Sequence, residues 1–180
     1  DATGVAWRTP LDGRGQSSPV VWLDAVYVTA VTGVDKDTLI VTRVAVADGR
    51  VVWQRRFQAA RALADTDTTS KAAPTPVVDD DGVYALFESG DLIALGHDGT
   101  VRWQRSLMDD YGEIRNGHQY GSSPAIAPGR VVVFVGHAGP SYLLAIDTAS
   151  GRTLWKAERP SVTSWNTPIV AGSGEDAWVA

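Results

Sequence analysis

The chain has no cysteine, one methionine and only 3 histidines in 180 residues. Without cysteine there is no disulfide, no thiolate metal site and no thiol nucleophile. No apolar run approaches the roughly 20 residues that a membrane-spanning helix requires. No signal peptide is visible at Asp1,. A basic surplus is missing too. Lys and Arg number 16 against 21 Asp and Glu, a net charge of −5, which argues against nucleic acid or anionic lipid as a partner. The acidic residues are spread through turns, as in Asp79-Asp80-Asp81, and form no tail. No stretch reads as a convincing helix.

What the chain has instead is repetition. Trp7, Trp53, Trp103 and Trp155 recur at intervals of about 50 residues, each closing a Gly-containing segment: TGVAW, DGRVVW, DGTVRW and SGRTLW,. A second anchor alternates with the first: SSPVV at 17–21, PTPVV at 74–78, SSPAI at 122–126 and NTPIV at 166–170. Between each Pro and the next Trp lie short runs rich in Val, Leu and Ile, divided by Asp-Gly and Ser-Gly turn signals,. This predicts strands near 18–22, 25–31, 37–46 and 51–57. A second set falls near 75–79, 82–88, 91–96 and 100–106, and a third near 123–127, 130–136, 141–146 and 153–158.

Four-stranded antiparallel units at this spacing indicate an all-β fold, a β-propeller. The run Val131–Val135 is apolar on both faces, as expected of a blade covered on each side by a neighbour. The predicted domain is one partial propeller over 1–180: a D strand of a preceding blade at 1–14, blades at 15–59, 72–107 and 120–159, and the A and B strands of a further blade at 164–180. That is about half a ring, three full blades with flanking strands. Its ends should expose unpaired edges and apolar blade faces. The last residues, Asp176–Ala180, read as a strand in progress. The expectation is a longer parent chain, with association of two copies as the alternative.

In AIDTASGRTLW (145–155), Asp147 is placed to accept turn amides, Gly151 to take a positive φ, and Trp155 to offer a flat apolar surface whose indole N–H needs an acceptor. A motif present in every unit fits a contact made at every blade joint better than a ligand site. Trp7, Trp53, Trp103 and Trp155 are therefore read as docking residues, with Asp147 and Gly151 as turn residues of the same device. Burial of Trp155 between blades is expected.

This stretch resembles the A-x-D-x-x-x-G-x-x-x-W docking repeat of the pyrroloquinoline-quinone (PQQ) propeller superfamily. Unit two is one residue shorter and puts Gly96 at the family's Asp; unit one is shorter again. The runs VAWRTPLDGRGQSSPVVW and SYLLAIDTASGRTLWKAERPSVTSWNTPIV resemble a branch of PQQ-binding-like bacterial propellers related to the propeller subunit of the outer-membrane protein assembly machinery. The resemblance covers nearly the whole chain and is specific for fold, weak for function.

In propellers the D–A and B–C loops gather on one face around a central funnel. The D–A loops here are 60–74, 108–124 and 159–168. Together with the segment before the first strand, they supply the candidate ligand-binding residues Gln16, Ser17, Lys71, His118, Gln119, Tyr120, Trp165 and Asn166. Lys71 and His118 suit an anion; Tyr120 and Trp165 suit a planar ligand. The alternative is that these residues cap strands and bond one another. His97 and His137, near strand ends, read as surface or packing residues. His118 has no His or Cys near it in sequence, and Asp65-Thr66-Asp67 and Asp79-Asp80-Asp81 lack the spacing of a calcium loop, so no metal site is expected.

Quinoprotein dehydrogenases of the superfamily use a catalytic Asp, a calcium ion held by Glu and Asn, and often adjacent cysteines. This chain has no cysteine, and only Glu113 and Asn116 fall in a plausible loop. No catalytic residue is assigned. The resemblance implies a non-catalytic scaffold, exported to the bacterial periplasm or envelope, that binds proteins or peptides. The alternatives are half of a PQQ- and calcium-dependent quinoprotein dehydrogenase, and a carbohydrate- or polymer-binding propeller.

Overall fold

The computed structural model describes residues 3–62, 70–115, 120–172 and 178–179. Val20–Trp22 (β1), Ala25–Thr32 (β2), Thr38–Ala45 (β3) and Val51–Gln58 (β4) form one antiparallel sheet in sequence order. Val77–Asp79 (β5), Gly82–Leu86 (β6), Asp91–Leu95 (β7) and Val101–Ser106 (β8) form the second. Ala125–Ala127 (β9), Arg130–Val135 (β10), Ser141–Asp147 (β11) and Thr153–Arg159 (β12) form the third. Val170–Ala171 (β13) pairs antiparallel with Trp178–Val179 (β14). The strand ends lie within about two residues of those expected from the turn signals. Residues 3–13, expected to belong to a preceding D strand, carry no strand; Arg14 alone bridges Val31.

One helix corrects the strand-only reading. Leu107–Tyr111 (α1) follows β8, with the Ser106 hydroxyl accepting the Asp109 N–H at 3.2 Å as an N-cap,. Leu107 and Met108 are buried. Five residues are too few for a helical period to show in sequence.

The sheets stack face to face, and the middle one is covered on both sides. Every residue of β6 and β7 is buried. Val83, Ala85, Phe87 and Ile93 pack with Tyr27, Leu39 and Val41 of the first sheet. Tyr84, Leu86, Leu92 and Ala94 pack with Val131, Val133 and Leu144 of the third. Strand β2 alternates buried and half-buried residues instead, because one of its faces meets only the segment around Trp7 and Leu11.

Two ladders join the blades. In the outer one, an indole N–H of one blade donates to a carbonyl in the C–D turn of the next: Trp7 to Val46 at 2.7 Å, Trp53 to His97 at 2.8 Å, Trp103 to Thr148 at 2.8 Å. The ring lies over the glycine of that turn. A Cβ on Gly99 would sit 2.9 Å from Trp53, and one on Gly151 2.7 Å from Trp103. Both glycines also hold positive φ (83° and 71°), so no other residue serves as well. A bulge precedes Trp53, Trp103 and Trp155. Trp53 faces Arg43, Trp103 faces Ala94 and Trp155 faces Ala145, and the register slips at the next C-strand residue. The bulge turns the indole out of the sheet toward the neighbour. Arg55 and Arg105, two residues on, donate to the carbonyls of Gly99 and Gly151 at 2.7 Å; Thr9 does the same to Gly49.

The inner ladder explains the second sequence anchor. The N–H of Ser18 donates to the Thr75 hydroxyl at 3.0 Å, that of Thr75 to Ser123 at 2.9 Å, and that of Ser123 to Thr167 at 3.2 Å. Each of these residues directly precedes the anchor proline. The recurring small hydroxyl residue is thus a blade-to-blade bond near the axis.

The docking device differs from its expected form at one point, the half-exposure of Trp155. Gly151 receives Trp103, the tryptophan of the preceding blade, and not the Trp155 of its own motif. Trp155 is half-exposed and makes no indole hydrogen bond among the described residues. Asp147 does accept its turn, from the Ser150 N–H at 2.7 Å. In unit two Asp98 takes over that task from the position held by Gly96, accepting the Thr100 N–H at 2.9 Å.

These positions set an unequal cost for losing an indole. Trp53 is only 8 % exposed, so Trp53→Ala should lose about 3–5 kcal/mol. Trp155→Ala should lose no more than about 0.5–1 kcal/mol. Urea unfolding of both variants checks this, and equal losses would show that the joint does not depend on the glycine turn.

Candidate functional site

The D–A loops and the B–C turns lie at one end of the strands, as antiparallel order requires. The structure distributes the described sequence candidates over three separate seams of this face and does not bring them into one site. At the first seam, the N–H groups of Gln16 and Ser17 both donate to the Ala72 carbonyl at 3.1 Å. The Gln16 side-chain oxygen accepts the Ser70 N–H at 2.9 Å. The Ser17 hydroxyl pairs with that of Thr29 at 2.7 Å. These residues tie the loop before β5 to the first blade.

Lys71 belongs to the same seam. It is 3 % exposed, sits at φ 62°, and its ammonium donates to the Asp35 carbonyl. An anion from solvent does not reach it in this arrangement. Beside it stands a residue that sequence reading missed. Glu88, in the B–C turn of the second blade, is 2 % exposed. Its N–H donates to the Lys71 carbonyl at 3.3 Å, yet neither carboxylate oxygen has a hydrogen-bond partner. Burial raises its pKa to about 7. The amides of Ala73 and Lys71, facing it outside hydrogen-bond geometry, and the Lys71 and Lys36 ammoniums offset part of that rise,. Asp91 is buried nearby, held by the Ser89 hydroxyl at 2.6 Å and the Ala60 N–H at 3.1 Å; burial raises its pKa as well. The signal for Glu88 lies in LFESGDLIAL, where two acids, Glu88 and Asp91, stand between apolar runs.

At the second seam, Tyr120 is buried and its hydroxyl donates to the Phe134 carbonyl at 2.7 Å. It is a core residue between blades and offers no face for stacking. His137 is also buried, which agrees with its packing assignment. Its Nδ1 accepts the N–H groups of Arg115 and Gly139 at 2.9 and 3.2 Å, so Nε2 carries the proton given to the Pro140 carbonyl at 2.8 Å,. Tyr111, Glu113, Arg115, His137 and Pro140 border a cleft of about 280 Å³. His97 lies at the opposite end, bonded to the Tyr27 hydroxyl at 2.6 Å and the Asp79 carbonyl at 2.9 Å. It packs the first blade against the second.

At the third seam, Trp165 is 47 % exposed, with its ring edge against Gly121. Asn166 borders a hollow of about 150 Å³ with Phe134, Leu143, Arg159 and Pro168. Among the described candidates, Gln16, Trp165 and Asn166 are exposed. His118 and Gln119, with Asn116 and Asp65-Thr66-Asp67, lie outside the described residues.

Calcium takes six to eight oxygen ligands. Among the described residues no three His, Cys, Asp or Glu side chains gather to hold a metal ion, and the buried Glu88 is faced by lysine ammoniums.

A family model described as outer membrane protein assembly factor BamB matches residues 2–174. The assembly factor of that name from Salmonella typhimurium is 30% identical over 171 residues, covering 90% of this chain and 38% of that protein. The chain thus spans less than two-fifths of the length of this curated relative. Among solved structures, BamB from Moraxella catarrhalis superposes with a TM-score of 0.59 at 15% identity, over 92% of this chain and 44% of that one. The quinohemoprotein alcohol dehydrogenase ADHIIG from Pseudomonas putida HK5 superposes equally well, at 0.59 and 22% identity, over 86% of this chain and 22% of that one. Such identities establish the propeller fold alone.

Glu88 makes stability depend on pH in a stated direction. Its folded pKa of about 7 lies above the ordinary 4.5. Between those values the folded state holds a proton that the unfolded chain has released, so stability falls as pH rises through the window and is lowest above it. Glu88→Gln should remove that slope and stabilise the fold at pH 8 by roughly 2–3 kcal/mol. Urea unfolding at pH 5 and pH 8 is the measurement; a variant with the parent's slope would place the titrating group elsewhere.

Proposed function

Because the chain belongs to the family of the outer membrane protein assembly factor BamB, we propose that it is part of a non-catalytic propeller scaffold. It serves outer membrane protein assembly in the bacterial envelope by holding polypeptide partners on its loop face. One observation carries this reading. The polar side chains of that face are largely spent on bonds inside the fold: Gln16 and Lys71 bond across the first seam, and Ser17 and His137 within their own blades. A face built this way presents shape and a few exposed apolar groups, such as Val34 at 95 % exposure and Trp165, rather than a reactive constellation. Contact surface of that kind suits a polypeptide.

The relation to the quinoprotein dehydrogenases supports the fold only, and no described residue favours their chemistry. No helix among the described residues is long and apolar enough to cross a membrane.

Photo-crosslinking in the envelope tests the proposal. The full-length protein would carry a benzophenone side chain in place of Val34 or Trp165. Light-dependent adducts with outer membrane proteins or their assembly partners are expected from both positions. Absence of adducts, together with PQQ- and calcium-dependent alcohol oxidation by the purified protein, would overturn it.

A further inference from the structure

At the end opposite the loop face, the A–B turns of three consecutive blades converge on a cavity of about 480 Å³. Its walls are apolar: Trp22 closes β1, Val78 lies in β5, Ile126 lies in β9 and Pro128 sits in the turn after it. Its lip is acidic. Asp80 and Asp81, in the turn between β5 and β6, border it. Arg102 stands 3.8 Å from Asp81, whereas Asp80 is exposed and makes no hydrogen bond or ion pair among the described residues.

The neighbouring turn adds an independent sign. Leu23, next in the chain to Trp22, is 85 % exposed and holds φ 51°. Leucine in the left-handed region is strained by roughly 1–2 kcal/mol, and here no burial offsets it. Asn or Gly would relieve the strain and remove the apolar exposure together. A strained, solvent-facing leucine beside an apolar cavity marks a surface kept for contact.

We propose that this cavity is a second docking surface, taking an extended partner segment that sets a lysine or arginine between apolar side chains. Charge complementarity chooses the occupant. The apolar stem of a basic side chain lies along Trp22 and Ile126, and its cationic head meets Asp80 over the lip. A neighbouring apolar side chain covers Leu23. An acidic or uncharged polar segment gains neither contact. The inference goes beyond the loop face and rests on the polypeptide-binding reading.

The test titrates the full-length protein into a short fluorescent peptide alternating leucine and arginine, read by anisotropy. Control peptides carry glutamate for arginine or serine for leucine. Both controls should bind at least about tenfold more weakly, and added salt should weaken the arginine peptide. Leu23→Asn and Asp80→Asn should each cut affinity about fivefold or more, and Leu23→Asn should not lower the melting temperature. Equal binding of the glutamate peptide, unchanged affinity in both variants, or no binding at millimolar peptide would each overturn the proposal. So would a dimer, seen by light scattering, that either variant dissociates, since a second copy would then be the occupant. Adducts that persist from positions 34 and 165 in any of these cases would leave the scaffold reading standing while the cavity proposal falls.

Discussion

The structure depends on one recurring fit, an indole laid over a glycine in the next blade. It requires three things at once. Where the tryptophan lies in a strand, as Trp53 and Trp103 do, a bulge must turn it out of its own sheet. A carbonyl must stand where the indole N–H arrives. The glycine must lack a Cβ, since any Cβ would sit inside van der Waals contact of the ring. Arg55 and Arg105 lock the same turn from two residues further on. The hydroxyl ladder before the anchor prolines repeats the arrangement near the axis. With both rims pinned, the stacked apolar faces between blades are held at a fixed separation, and the middle blade is dry on both sides.

That rigidity shapes what the two ends of the molecule present. At the loop end, the seams consume most polar groups, leaving isolated exposed side chains and one buried carboxylate without a hydrogen bond, Glu88. An acid held in such a place weakens the fold at neutral pH while joining a D–A loop to a B–C turn. At the turn end, A–B hairpins of unlike sequence meet around the axis. Equivalent strand ends there carry Trp22 in one blade, Asp79 in the next and Ala127 in the third. The repeats agree where they pack and diverge where they face the solvent.

The sequence alone determined the strands, their antiparallel order, the blade count within the chain and the recurrence of the two anchors. All of these rest on local chemistry, namely alternation of apolar residues, Asp-Gly and Ser-Gly turns, and spacing. The site was much less legible. Of the described loop candidates, Gln16, Ser17 and Lys71 proved to be seam residues and Tyr120 a core residue, while Glu88 and the roles of Arg55 and Arg105 went unread. Only the tertiary structure decided these. Whether a lysine meets solvent or the carbonyl of Asp35, or whether Gly151 serves Trp155 or Trp103, depends on partners about 35 to 50 residues away that are brought together by blade stacking. A motif read along the chain joins neighbours in sequence; this fold joins each motif to the corresponding one in the next blade.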